Sequence, residues 1–429
     1  MGEWTPKTLR QIVGQPISGS RPKGGVNSET EGVPSLGGEN VLADGGMTFA
    51  NLNRVPRSFF KSMPKGRLQA LDVLINKDGA QTGKVGLYRG EFEEACVNEH
   101  LFILRNGDGS VDQRFLYYAV LLPETQAKIQ RRITGSAQPG LNTQFVDAVT
   151  IAVPSLPEQQ RRIAEILETV DEAIEQTEAL IAKQQQVKAG LMHDLFTRGL
   201  APDGQLRPSH TEAPELYHET PLGWLPKDWA PDTIGGVSDS LIDGPFGSNL
   251  KTEHYVIEPG VRVVRLQNVG ATEYDDSERA FISEAHAGFL LKNQVLPGDV
   301  LIAGLGEETH VVGRACCYPP DLPPAINKAD CFRLRCRAGK MLNAFAMFFL
   351  NTAGAQRQIR RYEQGVTRLR INTGNLKKVA TGVPGIPEQA AIVEKLQAGI
   401  AQVESTHGHL AKLRQLKQGL MQVLLTPPS

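Results

Sequence analysis

Two long stretches of the chain, residues 157–196 and 387–425, repeat apolar residues at spacings of three and four. This spacing places the apolar side chains on one face of an α-helix. The first stretch begins at Pro157, a residue suited to a first helical turn, and Gly199 with Pro202 ends it. At about 1.5 Å per residue, a helix of about 40 residues is about 60 Å long. The predicted stripes are Ile163, Leu167, Val170, Ile174, Ile181 and Leu191 in the first helix, and Ile392, Leu396, Val403, Leu410 and Leu420 in the second.

Two such helices in one chain most simply bury their stripes against each other as a coiled coil. The alternative is that each helix packs separately on its own globular domain. Gly399 and the polar residues 404–409 interrupt the second stripe. This interruption indicates a looser second helix or a surface for a partner.

The remaining segments, 1–152 and 215–382, have the pattern of mixed α/β domains. Short β-rich runs, such as 261–266 and 331–334, alternate with turns rich in Gly, Pro, Asn and Asp. Helices are predicted near 112–133 and 342–362. Residues 198–223 are Pro-rich and aperiodic, which is typical of a linker.

An internal repeat organises these elements. The phrase VPSLPEQ at 153–159 returns as VPGIPEQ at 383–389, and isolated identities upstream keep the same offset of 230 residues. That period is far longer than the 20–50 residues of solenoid repeats. The chain is therefore predicted to be two copies of one unit, each a domain followed by a long helix, related by a pseudo-two-fold axis.

Composition limits the class of protein. The 429 residues carry a formal net charge of −1, and no apolar run has the length of a membrane span. A secretory signal pattern is not present at residues 1–10, and the five cysteines lack disulfide or zinc spacing. We expect a cytoplasmic protein of two or three domains, without a metal site.

Catalytic motifs are hard to find. Residues 78–85 resemble a phosphate-binding loop, but three residues rather than four separate Gly79 from Gly83, and Val85 stands where a hydroxyl is needed. G-x-S-x-G, H-E-x-x-H and N-P-P-[YF] are all missing from the sequence. Two rival classes remain open: an enzyme, either a cryptic nuclease or a nucleotide-dependent activity at the Gly83-Lys84 loop, and a coiled-coil scaffold that binds proteins only.

Positive charge is concentrated where each globular domain meets its helix. Residues 355–378 contain seven basic residues and one acidic residue, and residues 125–148 contain three and one. Such clusters are what a phosphate-binding surface requires, although a solvated basic helix face would look the same. Amide and guanidinium side chains that can read base edges lie in the same two segments.

Several motifs resemble one family. The segments 157–183 and 188–199 closely resemble the central conserved region of specificity subunits of type I restriction-modification enzymes. The segments 135–142, 223–229, 247–251 and 299–302 are similar to the recognition-domain signatures of the same family. The resemblance extends over nearly the whole chain. The second copy differs from the first at 365–368, where Gly-Val-Thr-Arg replaces the Gly-Ser-Ala-Gln of 135–138.

The resemblance implies an α+β protein with two mixed α/β target recognition domains in tandem, joined by two long antiparallel coiled-coil helices. It implies recognition domains at 1–152 and 215–382, a spacer helix with linker at 153–214, and a second spacer helix at 383–429. Such a subunit would read a split DNA target with an unread gap and have no catalysis of its own. It would recruit two modification subunits, which use S-adenosylmethionine, and restriction subunits, which use ATP and Mg²⁺, while binding no cofactor itself.

The predicted DNA contacts include residues of the basic clusters and of the recognition-domain signatures, together with Lys23, Gln81, Lys84, Arg265 and Arg314 elsewhere in the two domains. In the first copy they are Lys23, Gln81, Lys84, Arg131, Arg132, Gln138 and Asn142. In the second copy they are Asn249, Lys251, Arg265, Arg314, Arg357, Arg360, Arg361, Arg368, Arg370 and Asn372.

Overall fold

A computed structural model describes residues 3–23, 31–135, 139–306 and 310–427. The chain divides into two compact units, one formed by Met1–Ala179 with His407–Ser429 and the other by Leu180–Thr406. Each unit combines a globular domain of mixed strands and helices with parts of two long helices. The predicted α+β class is confirmed.

Unit 1 begins with a globular domain of short elements. Its strands are β1 (Trp4–Thr8), β2 (Ile17–Ser18), β3 (Val33–Leu36), β4 (Asn53–Val55), β5 (Asp72–Asn76), β6 (Val85–Tyr88), β7 (Cys96–Val97), β8 (Leu101–Leu104), β9 (Ile133–Thr134), β10 (Gly140–Leu141) and β11 (Thr150–Pro154). Its helices are α1 (Leu9–Val13), α2 (Arg57–Ser62), α3 (Gln113–Leu121), α4 (Pro123–Gln130) and α5 (Phe145–Ala148), followed by the long α6 (Pro157–Thr197).

An antiparallel sheet of order β2-β8-β5-β6 forms the centre of this domain. Helix α3 packs on it because six consecutive residues, 115–120, are buried. Strand β1 pairs antiparallel with β11, from Trp4 opposite Pro154 to Thr8 opposite Thr150. The start of the chain is thereby held beside the strand that leads into α6.

Unit 2 repeats this plan with more elements. Its strands are β12 (Tyr217–Thr220), β13 (Gly223–Pro226), β14 (Ala230–Thr233), β15 (Ser238–Ile242), β16 (Tyr255–Val256), β17 (Val261–Val264), β18 (Phe281–Ile282), β19 (Gln294–Val295), β20 (Val300–Ala303), β21 (Leu305–Gly306), β22 (Ala315–Cys317), β23 (Ala325–Asn327), β24 (Cys331–Cys336), β25 (Leu369–Arg370) and β26 (Ala380–Val383). Its helices are α7 (Ile234–Val237), α8 (Glu284–Phe289), α9 (Asn343–Leu350), α10 (Ala353–Tyr362), α11 (Thr373–Leu376) and the long α12 (Ile386–Leu424).

The central sheet of unit 2 has the order β15-β24-β20-β22, and α9, whose residues 345–350 are buried, packs against it. Strand β14 pairs antiparallel with β26, as β1 does with β11 in unit 1. A second sheet, of order β16-β18-β17-β23-β19, adds a subdomain around residues 255–327. The predicted duplication therefore appears as the same strand and helix plan within each unit.

The two long helices pack together and run antiparallel. In unit 1, Asp171 and Glu178 of α6 form ion pairs of 2.6 and 2.7 Å with Lys417 and Arg414 of α12, so the two numberings run in opposite directions. In unit 2, Leu195 of α6 shares a core with α12 residues of the stripe. Both helices also pack on the globular domain of each unit. Packing of the helices against each other and packing on the globular domains, which were predicted as alternatives, therefore occur together.

Most of the predicted stripe faces the protein interior. Ile163, Leu167, Ile181, Ile392, Leu396 and Leu410 are buried, and Val170, Ile174, Leu191, Val403 and Leu420 are half-buried. Helix α12 is continuous through Gly399 and Gly408. The glycines and polar residues that interrupt the second stripe therefore do not break the helix.

At the start of the long helices, the structural alignment of the two copies differs by one residue from the alignment that the repeated sequence suggests. Gln160 accepts from the N–H of Asp112, at the start of α3, and donates to the carbonyl of Pro154. Gln389 accepts from the N–H of Leu342, before α9, and donates to the carbonyl of Pro384. Gln160, rather than Gln159, is thus the counterpart of Gln389. The offset between the copies therefore changes from 230 at Pro154 and Pro384 to 229 at Gln160 and Gln389, so the second copy lacks one residue between these positions.

The predicted linker, 198–223, is packed rather than loose. Arg207 is only 7% exposed and donates to Glu388 and Asp228 at 2.6 Å each. Strands β12 and β13 form a hairpin at the end of the segment, and the Tyr217 hydroxyl donates to the carbonyl of Pro208. This segment belongs to the folded part of unit 2.

Candidate nucleic-acid interface

In unit 2, the predicted basic cluster is an exposed helix face followed by a hairpin. Helix α10 begins at Thr352, whose hydroxyl accepts from the N–H of Ala355, and it buries Ala355 and Ile359. Arg357, Arg360 and Arg361 are exposed because they occupy the other positions of this amphipathic helix. The structure therefore gathers three guanidinium groups on one short helix.

The hairpin after α10 is closed by reciprocal backbone hydrogen bonds of 2.9 Å between Gln364 and Arg370. Strand β25 at its end pairs with β21. Gly365 has φ +104, and a side chain there would collide with the carbonyl oxygen of Arg368. Glycine is therefore required at the first turn position. Arg368 is exposed at the other side of the tip.

Two carboxylates hold the base of this hairpin. The Arg370 guanidinium donates to Asp330 Oδ1 at 2.6 Å, and the N–H of Asp330 donates to Asp243 Oδ1 at 2.9 Å. The hydrogen bond from Arg370 to Asp330 raises the pKa of the guanidinium. Burial raises the pKa of Asp243 to about 6, although backbone N–H groups favour its ionised form. Arg370 is thus a positioning residue as well as an exposed cation.

Arg314 does not lie on the surface and is withdrawn as a DNA contact. It is 7% exposed, and its guanidinium donates to the carbonyls of Val269 at 2.7 Å and Val311 at 3.1 Å, among others. A guanidinium bound by buried carbonyls cannot turn to a phosphate without losing them. Its role is to join the turn at 266–269 to Leu305 and Val311.

The other predicted contacts of unit 2 lie on separate loops. Asn249 and Lys251 are exposed, on a segment whose Asn249 carbonyl lies 2.8 Å from His286 Nε2. Arg265 is half-buried and 3.3 Å from Glu278. Asn372 is exposed, but its side chain accepts from the N–H of Asn375 as the N-cap of α11. Its amide N–H₂ group remains on the outside.

Unit 1 carries a smaller version of the same arrangement. Arg131 and Arg132 are exposed immediately after α4, and the β9–β10 hairpin follows them. Gln138 lies outside the described residues. Asn142 is exposed, and its side chain accepts from the N–H of Gln144 at 2.9 Å. Lys23 is exposed as well.

The loop at 77–84 packs against this hairpin. The N–H of Leu141 donates to the carbonyl of Lys77 at 2.6 Å, and the N–H of Gly79 donates to that of Pro139 at 2.9 Å. In unit 2, the N–H of Ile371 donates to the carbonyl of Gly304 in the same way. The structure thus brings Gln81, which is exposed, and Lys84, which is half-buried, close to the hairpin of unit 1.

The geometry of the 77–84 loop does not suit a nucleotide. It connects β5 to β6, which are antiparallel neighbours from Asp72 opposite Tyr88 to Ile75 opposite Val85. A phosphate-binding loop leads instead into the N-terminus of a helix, whose N–H groups hold the phosphates. The strand order therefore agrees with the prediction that this loop is a turn between strands and not a nucleotide site.

Two functional positions were missed in the sequence. Asp243 and Asp330 come at the ends of loops, and neither belongs to a motif or a charge cluster. Asp243 acts through Asp330, which lies 87 positions further along the chain, and Asp330 acts through Arg370, a further 40 positions along. Only the structure brings them to the hairpin.

The cysteines have no visible chemical role among the residues that the structure describes. All five are free thiols, and burial raises the pKa of Cys96 to about 11 and that of Cys317 to about 12. Over the same residues, no group of three or more His, Cys, Asp or Glu side chains is placed to hold a metal ion. No helix in the described ranges has the length and apolar character needed to cross a bilayer.

Comparison with known proteins agrees with this geometry. A family model described as the type I restriction modification DNA specificity domain matches residues 1–185. The type I restriction enzyme MjaVIII specificity subunit of Methanocaldococcus jannaschii is 22% identical over 96% of this chain and 89% of its own length. The match therefore extends over both copies of the repeat. The chain belongs to the type I restriction-modification specificity subunits.

Solved structures share the fold. A type I restriction-modification S subunit from M. genitalium superposes with a TM-score of 0.56 at 15% identity, covering 100% of this chain and 97% of that one. A structure from work on the complex assembly and conformational transition of the type I R-M system gives 0.60 at 17% identity, covering 99% and 97%. Members of this specificity-subunit family are the non-catalytic component of their enzymes.

Proposed function

We propose that this chain binds duplex DNA and selects the sequence at which a type I complex methylates and cleaves. The observation that carries the proposal is the repeated arrangement of a hairpin beside exposed arginines, on α10 in unit 2 and after α4 in unit 1. Guanidinium groups hold phosphates, and hairpin side chains reach base edges. Two such surfaces in one chain suit a target with two halves.

The target would be bipartite with an unread gap. Because α6 and α12 run through both units, we propose that the length of these helices sets the gap. The recognition domains would be 1–152 and 215–382, with spacer segments at 153–214 and 383–429. Pro157 and Ile386, where the long helices begin, support these boundaries.

The partners would be two modification subunits and restriction subunits. S-adenosylmethionine would be bound by the modification subunits and ATP with Mg²⁺ by the restriction subunits, and neither by this chain. The chain would act in the cytoplasm, where chromosomal DNA lies. The likeness to a structure from work on type I complex assembly supports this partnership.

A protein-only scaffold would have no use for the basic surface of unit 2. Seven basic residues against one acidic residue in 355–378 create a positive surface potential that attracts an anionic ligand. A cryptic nuclease would require a catalytic or metal-binding group, whereas Asp330 and Asp243 beside the hairpin serve to hold it. DNA is therefore the ligand that the charges favour.

The test is to co-express the chain with a modification subunit from the same genome and to map methylated adenines. A split motif with a fixed gap is expected. An assembled complex that leaves the genome unmethylated would contradict the proposal and favour the scaffold. A second measurement is the binding of ATP to the isolated chain, since measurable binding would favour the enzyme alternative.

A further inference from the structure

The tip of the unit 2 hairpin carries an apolar side chain that no contact with the described residues explains. Val366 is 99% exposed, the highest value among the large apolar residues that the structure describes. Single exposed apolar residues are common on protein surfaces and need no explanation by themselves. The setting of Val366, however, differs from that of a side chain on a mobile loop.

The backbone on both sides of Val366 is fixed. Gln364 and Arg370 close the hairpin, β25 pairs with β21, and the N–H of Ile371 donates to the carbonyl of Gly304. Gly365 allows the turn in a conformation that other residues would strain. A tip held in this way loses little conformational entropy when a ligand covers it, so it is preorganised for contact.

The charge around the tip selects the class of ligand. Arg368 is exposed two residues after Val366, and Arg357, Arg360 and Arg361 are exposed on the preceding helix. Contacts between arginines and phosphates position a protein on DNA but carry no sequence information. A protruding apolar side chain among these cations therefore suits a ligand whose outer surface is anionic and whose recessed surface carries an apolar group.

The major groove of DNA has that character. Its floor presents hydrogen-bonding groups and a single type of methyl group, the C5-methyl of thymine. Valine has two methyl groups and no polar atom, so it can favour thymine over cytosine at one position without a hydrogen bond. The neighbouring Thr367 and Arg368 supply a hydroxyl and a guanidinium for adjacent base edges.

We propose that Val366 contacts the C5-methyl group of one thymine in the half of the target that unit 2 reads, and that it determines the base at that position. This inference rests on the proposed function and adds a specificity-determining residue to it. Arg370 and Asp330 are then positioning residues that act through the hairpin.

The experiment compares the complete complex carrying wild-type chain, V366A and V366S. The methylated motif is mapped for each, and affinity is measured for duplexes in which each thymine of the motif is replaced in turn by uracil, which lacks only the methyl group. The wild-type complex is expected to bind one uracil duplex about fourfold less tightly, the effect of about one buried methyl. V366A is expected to lose that difference, and V366S to accept cytosine at the same position.

V423A is the matched control, because Val423 is also exposed, at 73%, and lies on α12. Its motif and its uracil penalties should equal those of the wild type. Unchanged motifs for both Val366 variants, or a motif in which no uracil substitution weakens wild-type binding, would overturn the inference while leaving the split motif intact. Failure of the proposed function has a different signature, since the wild-type complex would then produce no motif at all.

Discussion

Arg207 and Glu388 are separated by 181 positions in the chain but form a paired ion contact, with Nη1 2.6 Å from Oε1 and Nη2 3.1 Å from Oε2. The indole N–H of Trp229 and the N–H of Leu200 also donate to Glu388 Oε1. One carboxylate at the start of α12 thus binds the segment after α6 and the first strand region of the unit 2 domain.

We predict that Glu388→Ala lowers the free energy of unfolding of unit 2 by about 3–5 kcal/mol, because the buried Arg207 guanidinium loses one of its two carboxylate partners and two N–H groups lose their acceptor. Thermal unfolding followed by Trp229 fluorescence measures this change. Arg414→Ala is the control, since Arg414 and Glu178 form an exposed pair, with side chains 58% and 42% accessible. That variant should change stability by less than about 1 kcal/mol. Equal losses in the two variants would refute the special role of Glu388.

The exposed arginines of α10 should control the salt dependence of DNA binding. Replacing Arg357, Arg360 and Arg361 together by Glu is expected to abolish binding at moderate salt. If each contacts one phosphate, the corresponding triple Ala variant should reduce the slope of log affinity against log salt by about 2.7. Fluorescence anisotropy on a duplex with the mapped motif measures both quantities.

A matched set of exposed cations tests whether position matters in that result. Arg161, Arg162 and Lys395 are exposed on α6 and α12, outside the proposed interface. Their triple Ala variant should keep the wild-type salt slope. A similar decrease in both triple variants would mean that net charge, rather than the α10 surface, governs affinity.

Asp330→Asn is predicted to reproduce the effect of Arg370→Ala. Both changes remove the ion pair at the base of the hairpin, so both should weaken specific binding more than binding to unrelated DNA. Arg368→Ala should instead weaken binding directly and should add its effect to that of Asp330→Asn. Additivity of Asp330→Asn with Arg370→Ala would show that the two residues act separately.

Asp243 should make stability depend on pH. The folded protein raises the pKa of this carboxyl from 3.8 to about 6, so the folded state holds the proton more tightly than the unfolded state. Its contribution to stability therefore falls as pH rises between these two values, and the penalty is complete above about pH 6. The full pKa shift corresponds to about 3 kcal/mol, and solvent screening of this partly exposed carboxyl reduces it, so Asp243→Asn should gain about 1–2 kcal/mol at pH 7.5 and nothing below about pH 4.

Denaturation at several pH values measures this difference, with Asp239→Asn as the control because Asp239 is exposed on the adjoining strand β15. A constant difference between wild type and Asp243→Asn across the pH range would mean that the lost charge does not matter. The same outcome would assign the effect to the backbone hydrogen bonds that Asp243 accepts.

Local patterns were enough to predict the duplication and the long helices, because helical periodicity depends on neighbours within one or two turns. The apolar stripe from Ile163 to Leu191 placed α6 in its correct region. The repeated Pro-Glu-Gln misplaced the register by one residue, since sequence identity does not show which glutamine is buried. Gln160 and Gln389, at 2% and 0% exposure, reveal the true alignment.

The candidate interface could be located in the sequence but not resolved residue by residue. The density of basic residues in the sequence located α10, whose arginines are exposed as expected. It could not separate Arg314, which is buried, from Arg368, which is exposed. That difference depends on distant carbonyls, such as that of Val269, 45 positions away. Asp330 was missed for the same reason.

The hairpin of unit 2 is held by main-chain hydrogen bonds and by Arg370, while the side chains at positions 366–368 make no hydrogen bond or ion pair with the residues that the structure describes. Those three positions can therefore mutate without disturbing the scaffold, provided that Gly365 is kept. Under the proposed function, a descendant of this protein could acquire a new half-site through a few codon changes there, and the complex would then methylate and cleave DNA at different sequences.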